Sequence, residues 1–241
     1  MAKILITGGS GTLGKELIGI LKGELLYPAR EIMDITNLDQ VEYCISSFKP
    51  NIIIHCAAYT DVVKAESLKK ECWDLNVNGT LNLVKTTPKD TRFVLISTDY
   101  VFDGEKGNYL EEDTPNPQNF YSMTKVSAEN IVKTCQYYNI LRTSFCDNQW
   151  QHKSAFCDVL TNQDYVREIA NIIARIINNI EFLQVNSILN VGTHPKSMYD
   201  LALHTMPSVR AISYADSVVK IPRDTSLKLE RLSKLLKKIP S

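Results

Sequence analysis

Through the first 145 residues, short unbroken apolar runs alternate with stretches of helical periodicity. Lys3–Thr7, Glu24–Tyr27, Ile52–His55, Arg92–Ser97 and Tyr138–Thr143 read as strands. Helical patterns lie between them: Leu13 through Leu17, Ile18 and Leu21, then Asn37 to Phe48, Lys64 to Thr86, and a stretch through Tyr121, Ala128, Glu129 and Ile131. Apolar runs without polar alternation imply strands buried on both faces, and intervening helices supply the covers. The expected class is therefore α/β, a doubly wound parallel sheet. Beyond Phe145 the pattern loosens. Helices are expected at Asp164–Asn178, Ser197–Thr205 and Thr225–Lys237, with a short strand at Ile188–Val191. The division implied is a sheet domain over 1–145 and a smaller mixed α/β part over 146–241, some of whose segments return to the sheet.

The turn after the first strand carries the first chemistry. Gly8-Gly-Ser-Gly11-Thr-Leu-Gly14 follows Thr7 at once and runs into a helix. Strand, glycine turn and helix is the context of a Rossmann-type dinucleotide loop. Gly8 permits a tight turn, Gly11 lets backbone approach a pyrophosphate, and Gly14 lets helix pack on strand. The free N–H groups and positive end of the helix attract the anion. No Gly-Lys-Ser/Thr sequence closes the loop, which argues against a P-loop. In such folds an acidic residue ending the second strand favours NAD. Here Leu26-Tyr-Pro-Ala-Arg30 offers no acid and one arginine, so NADPH is the preferred cofactor, NADH the alternative, with Arg30 near the 2′-phosphate.

Tyr121 and Lys125 stand four apart in a helical segment, so phenol and ammonium share a face. A free tyrosine has a pKa near ~10, and a neighbouring cation lowers it towards the working range. A hydroxyl at Thr98 could hold a carbonyl oxygen while Tyr121 supplies the proton. That is equipment for reducing a ketone or oxidising an alcohol.

Composition narrows the partners. The 241 residues carry 27 basic and 27 acidic side chains, so no net charge draws the chain to nucleic acid or a membrane surface. No apolar stretch approaches the roughly 20 residues of a membrane span, and Met1-Ala-Lys3 leads straight into a strand without a signal peptide. The six cysteines (Cys44, Cys56, Cys72, Cys135, Cys146, Cys157) lack metal spacing; Cys56 is expected on a strand and Cys135 in a helix. Reduced thiols suit a cytoplasmic protein. His55 reads as structural, His152, His194 and His204 have no ligand spacing, and no metal is expected. Arg142 is expected to pair with an acidic neighbour.

Gly8-x-x-Gly11-x-x-Gly14 joined to Tyr121-x-x-x-Lys125 resembles the extended short-chain dehydrogenase/reductase family. Asp34–Asn37, His55–Asp61, Asn76–Gly79, Ser97–Gly104, Leu141–Ser144, Leu189–Gly192 and Pro222–Leu227 look like its dTDP-4-dehydrorhamnose reductase branch. The resemblance implies that Thr98 binds the substrate oxygen, Tyr121 is the acid/base, and Lys125 lowers its pKa and contacts the nicotinamide ribose. Ser10, Thr12 and Leu13 would complete the cofactor loop. Asp34 and Ile35 would sit by the adenine, with Ala57, Ala58 and Tyr59 beside the cofactor. Asp99, Tyr100 and Val101 would border the substrate, Arg223 would bind its diphosphate, and Trp150 would stack on its base or simply pack.

A nucleotide-linked 4-keto-6-deoxysugar is the substrate implied, and a homodimer the implied assembly. Dehydratases of this superfamily follow the threonine with Asp-Glu; here Asp99-Tyr100 lacks that base, which leaves reduction. Around Cys146–Cys157 the chain is shorter than the reductases, lacking a helical stretch. Two other readings stay open: a non-catalytic NADP-binding regulatory subunit, as the β subunit of methionine adenosyltransferase looks to be, and an epimerase/reductase acting on a GDP- or CDP-sugar.

Overall fold

A computed structural model describes residues 1–217 and 220–240. In chain order it comprises β1 (Lys3–Thr7), α1 (Thr12–Ile18), β2 (Glu24–Leu26), α2 (Leu38–Phe48), β3 (Ile52–His55), α3 (Val62–Ala65), α4 (Lys69–Trp73), α5 (Gly79–Thr86), β4 (Arg92–Thr98), α6 (Phe120–Val132) and β5 (Tyr137–Thr143). There follow β6 (Phe145–Cys146), β7 (Ser154–Phe156), β8 (Leu160–Thr161), β9 (Asp164–Tyr165), α7 (Val166–Ile177), β10 (Ser187–Asn190), β11 (Lys196–Ser197), α8 (Met198–Leu203), β12 (Arg210–Ile212) and α9 (Glu230–Lys238). Six strands form one parallel sheet in the order β10-β5-β4-β3-β1-β2. The chain leaves β1 to one side for β2 and returns to the other for β3. Ligands of open parallel sheets bind above that reversal, beyond the strands' carboxyl ends.

Successive strand residues face opposite sides, and both sides are covered. Ile4, Ile6, Ile52, Ile54, Val94, Ile96 and Leu141 meet Leu13 and Leu17 of α1, Ile169 and Ile173 of α7, and Leu232 and Leu235 of α9. Leu5, Ile53, Phe93, Leu95 and Ile140 meet Val41 and Ile45 of α2, Leu83 of α5, and Ala128 and Val132 of α6. Full burial of each such side chain contributes roughly 1.5–3 kcal/mol. Helix ends follow local chemistry. The Asn37 side chain accepts from Gln40 N at the start of α2, and Lys49 closes that helix in the left-handed region before Pro50.

The parallel α/β class expected from the sequence is the one observed. Four details differ. Helix α1 stops at Ile18, and Leu21 packs from a turn whose amide bonds Leu17 O. The expected Lys64–Thr86 helix is broken into α3, α4, a π-helical turn over Asp74–Asn78, and α5. Asp164 and Tyr165 form β9 beside β6 instead of beginning the helix. Residues 225–229, read as the start of the last helix, are not helical; Leu227 bridges to Tyr109 and Asp224 to Leu160. Cys56 falls just past β3 and Cys135 just past α6. β10 joins the sheet's edge and α7 packs on α1, so the second half of the chain is interleaved with the first. Among the described residues, no helix is long and apolar enough to cross a membrane.

Candidate active site

Every strand that ends above the reversal delivers a residue of interest. β1 ends in Thr7 and opens into the glycine loop, where Gly11 N bonds Gly8 O at 2.9 Å. Gly8 has φ +71°, and a Cβ there would lie 2.6 Å from Ala57 N, so side chains are excluded by conformation and by space. Ser10, Gly11 and Thr12 are exposed, while the Leu13 side chain is core, leaving only its backbone for a ligand. No side chain caps α1 and its first turn carries no acid, so free N–H groups at its positive end suit a diphosphate. The Thr12 hydroxyl donates to Asp147 at 3.3 Å and brings the segment after β6 to the loop.

Beyond β2, Arg30 is exposed and its Nε donates to Asp34 at 3.0 Å. Asp34 also accepts from Thr36 N and Oγ1, and these bonds outweigh partial burial to hold its carboxyl below the usual range. Ile35 turns its side chain inward against Gly79, so only its backbone remains available to a ligand.

β3 ends in His55, which is 2 % exposed. Thr80 Oγ1 donates to Asn76 O at 2.6 Å, so its lone pair faces His55 Nε2–H at 3.0 Å. His55 Nδ1 then accepts from Thr7 Oγ1 at 2.7 Å, and Thr7 accepts from Ala57 N at 3.2 Å. Burial, then the charge on Lys125, lowers the His55 pKa to about 3, keeping the ring neutral and this relay fixed. Asn76 accepts from Tyr59 N at 2.7 Å and donates to Tyr59 O at 3.2 Å and Thr124 Oγ1 at 2.9 Å. Thr124 in turn donates to Tyr121 O at 2.6 Å. One polar chain therefore seats the Ala57–Tyr59 loop and the helix bearing Tyr121. Nothing in the spacing of Thr7, Asn76, Thr80 and Thr124 announces this.

β4 ends in Thr98, 7 % exposed, beside Tyr121, 8 % exposed, and Lys125, 4 % exposed. Asn119 caps α6 by accepting from Ser122 N, which starts the helix at Phe120, one residue before Tyr121. The effects on the Tyr121 phenol differ from the sequence expectation. Burial dominates and raises its pKa; the neighbouring Thr98 hydroxyl opposes, and the charges on Asp99 and Cys72 add to the rise. The Lys125 ammonium donates to Ile96 O at 2.8 Å, and burial brings its pKa down to about 8.

β5 ends in Thr143, which lies opposite Thr98 in the sheet register. Its hydroxyl is buried without a hydrogen-bond partner, a cost a polar ligand at this strand end would remove.

Other expected site residues are placed elsewhere or differently. Trp150 packs with Ala155, Ala202 and Val209, and its Nε1 donates to Ser154 O at 3.3 Å, so it is core and not a stacking platform. Val101 is buried with Phe102, Tyr109 and Leu227. The Asp99 carboxylate, 1 % exposed, is taken by three threonine hydroxyls and faces no open surface. Tyr100 is partly buried at the crevice, and burial raises its pKa. Arg223 is exposed beside Asp158, at 3.8 Å, so an acid competes with any phosphate there. Arg142 is internal; it forks onto Glu129 at 2.9 and 2.8 Å. A groove of about 660 Å³ lined by Leu38, Ile45, Lys49, Pro50 and Lys85 lies at the strands' amino ends, opposite this chemistry.

The arrangement can polarise a carbonyl, protonate it, and hold a dinucleotide along the strand ends. A family model described as the RmlD substrate binding domain matches residues 2–179. The chain belongs to the RmlD substrate-binding domain family. An RmlD-family relative, dTDP-4-dehydrorhamnose reductase of Aggregatibacter actinomycetemcomitans, is 31 % identical over 96 % of this chain and 92 % of that protein. The solved dTDP-4-dehydrorhamnose reductase of Bacillus anthracis str. Ames, in complex with NADP, superimposes with a TM-score of 0.86 at 26 % identity. That superposition covers 100 % of this chain and 94 % of that one. Methionine adenosyltransferase 2 subunit beta of Rattus norvegicus is 33 % identical over 54 % of this chain and 42 % of its own length. The loop from β6 to β7 contains no helix.

Proposed function

We infer that this chain reduces the keto group of a nucleotide-linked 4-keto-6-deoxysugar with NADPH. It is an oxidoreductase of the dTDP-4-dehydrorhamnose reductase kind. The observation carrying this reading is Thr98, Tyr121 and Lys125 buried together at the strand ends, beside an uncapped glycine loop. Bound NADPH would supply a hydride to the carbonyl carbon. Gly8, Ser10, Gly11, Thr12 and the Leu13 backbone would hold its diphosphate, Arg30 its 2′-phosphate, Asp34 and the Ile35 backbone its adenine. Ala57, Ala58 and Tyr59 would flank it, and the unpartnered Thr143 hydroxyl could offer a hydrogen bond at the same strand ends.

The residues of the chain do the rest. Burial keeps Tyr121 as a neutral phenol at neutral pH, the form a reduction requires. Its proton passes to the carbonyl oxygen as the hydride arrives, while Thr98 holds that oxygen. Lys125, one helical turn on, meets the charge left on the phenolate. Residues 1–145 with the returning β10, α7 and α9 would form the cofactor domain. Tyr100 would border the sugar, and Arg223 could meet the diphosphate in competition with Asp158.

The test is NADPH oxidation by the purified chain with dTDP-4-dehydro-6-deoxy-L-mannose. Turnover is expected, and Arg30→Ala should weaken NADPH roughly fivefold while leaving NADH unchanged. Equal loss for both cofactors would remove the 2′-phosphate assignment. Tight NADPH binding without turnover of dTDP-, GDP- or CDP-linked ketosugars would transfer support to a regulatory role. The partial match to methionine adenosyltransferase 2 subunit beta, which covers 54 % of this chain, gives that reading its footing.

A further inference from the structure

Asp99 follows Thr98 directly and gathers hydroxyls from three separate parts of the chain. Thr98 Oγ1 donates to Oδ1 at 3.2 Å, Thr161 Oγ1 to Oδ2 at 2.9 Å, and Thr225 Oγ1 to Oδ2 at 2.6 Å. Thr161 and Thr225 are each 1 % exposed. They lie 62 and 126 residues further along the chain. The segments bearing them are themselves laced together: Leu160 N bonds Arg223 O at 2.8 Å, and Thr225 N bonds Leu160 O at 2.9 Å. Asp224 N also bonds Gly104 O at 3.0 Å, so this lacing lies against the loop that follows Thr98.

A carboxylate in such a place is costly, because hydroxyls neutralise no charge; burial accordingly raises its pKa. A neutral residue of similar shape would serve the packing at least as well. The charge therefore calls for another explanation, and the geometry supplies one. A threonine hydroxyl has a single proton. Without a substrate that proton goes to Asp99 while a Thr98 lone pair accepts from Tyr100 N–H at 3.2 Å, which holds the hydroxyl in place until a carbonyl oxygen takes the proton.

We propose that Asp99 is a positioning residue for the reduction, one that fixes the Thr98 hydroxyl and latches residues 160–161 and 223–227 onto the catalytic loop. The proposal rests on the reductase reading for its kinetic part alone. Through the latch, the part of the chain laid down after β5 reports to the site without touching the reacting atoms. Thr161 stands in no pattern that sequence alone singles out, and Pro222–Leu227, which contains Thr225, gives no sign of this contact.

Two measurements on the full-length chain test this. Asp99→Asn keeps the shape but turns one acceptor into a donor. It should lower kcat with dTDP-4-dehydro-6-deoxy-L-mannose on the order of 10²-fold with KM changed less than about threefold. Its melting temperature should hold or rise, because a buried charge is gone. By hydrogen exchange, the amides of Leu160 and Thr225 should open at least about tenfold faster in the variant, with the Gly8–Leu13 loop unchanged. A kcat within twofold of wild type, or a melting temperature that drops together with activity, overturns the proposal. If wild type turns over no ketosugar, the reductase reading fails alone. The exchange experiment then decides the latch, and unchanged exchange at both amides defeats it.

Discussion

Replacing Tyr121 by phenylalanine should lower turnover by roughly 10²–10⁴-fold while NADPH affinity stays within about twofold. The ring is 8 % exposed and its backbone is held by Thr124, so phenylalanine fills the same space. What disappears is the proton beside Thr98. Measuring kcat and the NADPH dissociation constant on one preparation separates chemistry from binding. A variant keeping a tenth or more of wild-type kcat would show that another group protonates the alcohol. The same site fixes an alkaline limit. Lys125 must be charged to meet the phenolate, and burial lowers its pKa to about 8. Turnover should therefore fall as pH rises through about 8. Stability should move the other way. Between pH 8 and the lysine's unfolded value near ~10.4, the folded chain has released a proton that the unfolded chain retains, so this group favours folding as pH rises. A kcat flat to pH 10 would remove Lys125 from the charge balance.

The largest stability effect should come from the ion pair behind the site. Arg142 and Glu129 are each 1 % exposed, joined by two hydrogen bonds, and Ser97 donates to Glu129 at 2.7 Å. The guanidinium also lies 4.9 Å from the Phe102 ring centre and donates to Glu111 O. Arg142→Met leaves the Glu129 carboxylate buried without a cation and should cost about 3–5 kcal/mol. For a chain of this size that corresponds to a melting-temperature loss of roughly 10 °C. Adding Glu129→Leu removes the stranded charge and should restore most of the loss. Thermal unfolding of both variants decides the matter. A single variant melting within about 2 °C of wild type would mean that water reaches Glu129.

The sheet was legible because each strand is a short apolar run: Ile52–His55 could be bounded to the residue, and β1 likewise. Buried strands need no partner to declare themselves. Residues 225–229 misled for the converse reason. Leu227 and Leu229 flank Lys228 in a stretch rich in helix formers, and the deciding partners, Tyr109 and Leu160, are more than sixty residues away. Tyr121, Lys125 and the glycine loop could be read because their function depends on local spacing. Trp150 could not, since whether a tryptophan stacks or packs depends on Ala202 and Val209 folding against it. The His55 relay and the three threonines around Asp99 have no periodicity at all. Their geometry arises only when strands distant in sequence become neighbours.

The position of β10 has a consequence for how the protein is made. This strand completes the sheet beside β5, and α7 and α9 cover the face over β1. A nascent chain that has emerged only through β5 has an open strand edge and one sheet face bare of its main apolar cover. Such surfaces pair readily with other chains. Synthesis therefore passes through an interval of several dozen residues in which the dinucleotide loop exists but its supporting sheet is unfinished. Order of translation and order of consolidation do not coincide here, and elements made later close the first ones built.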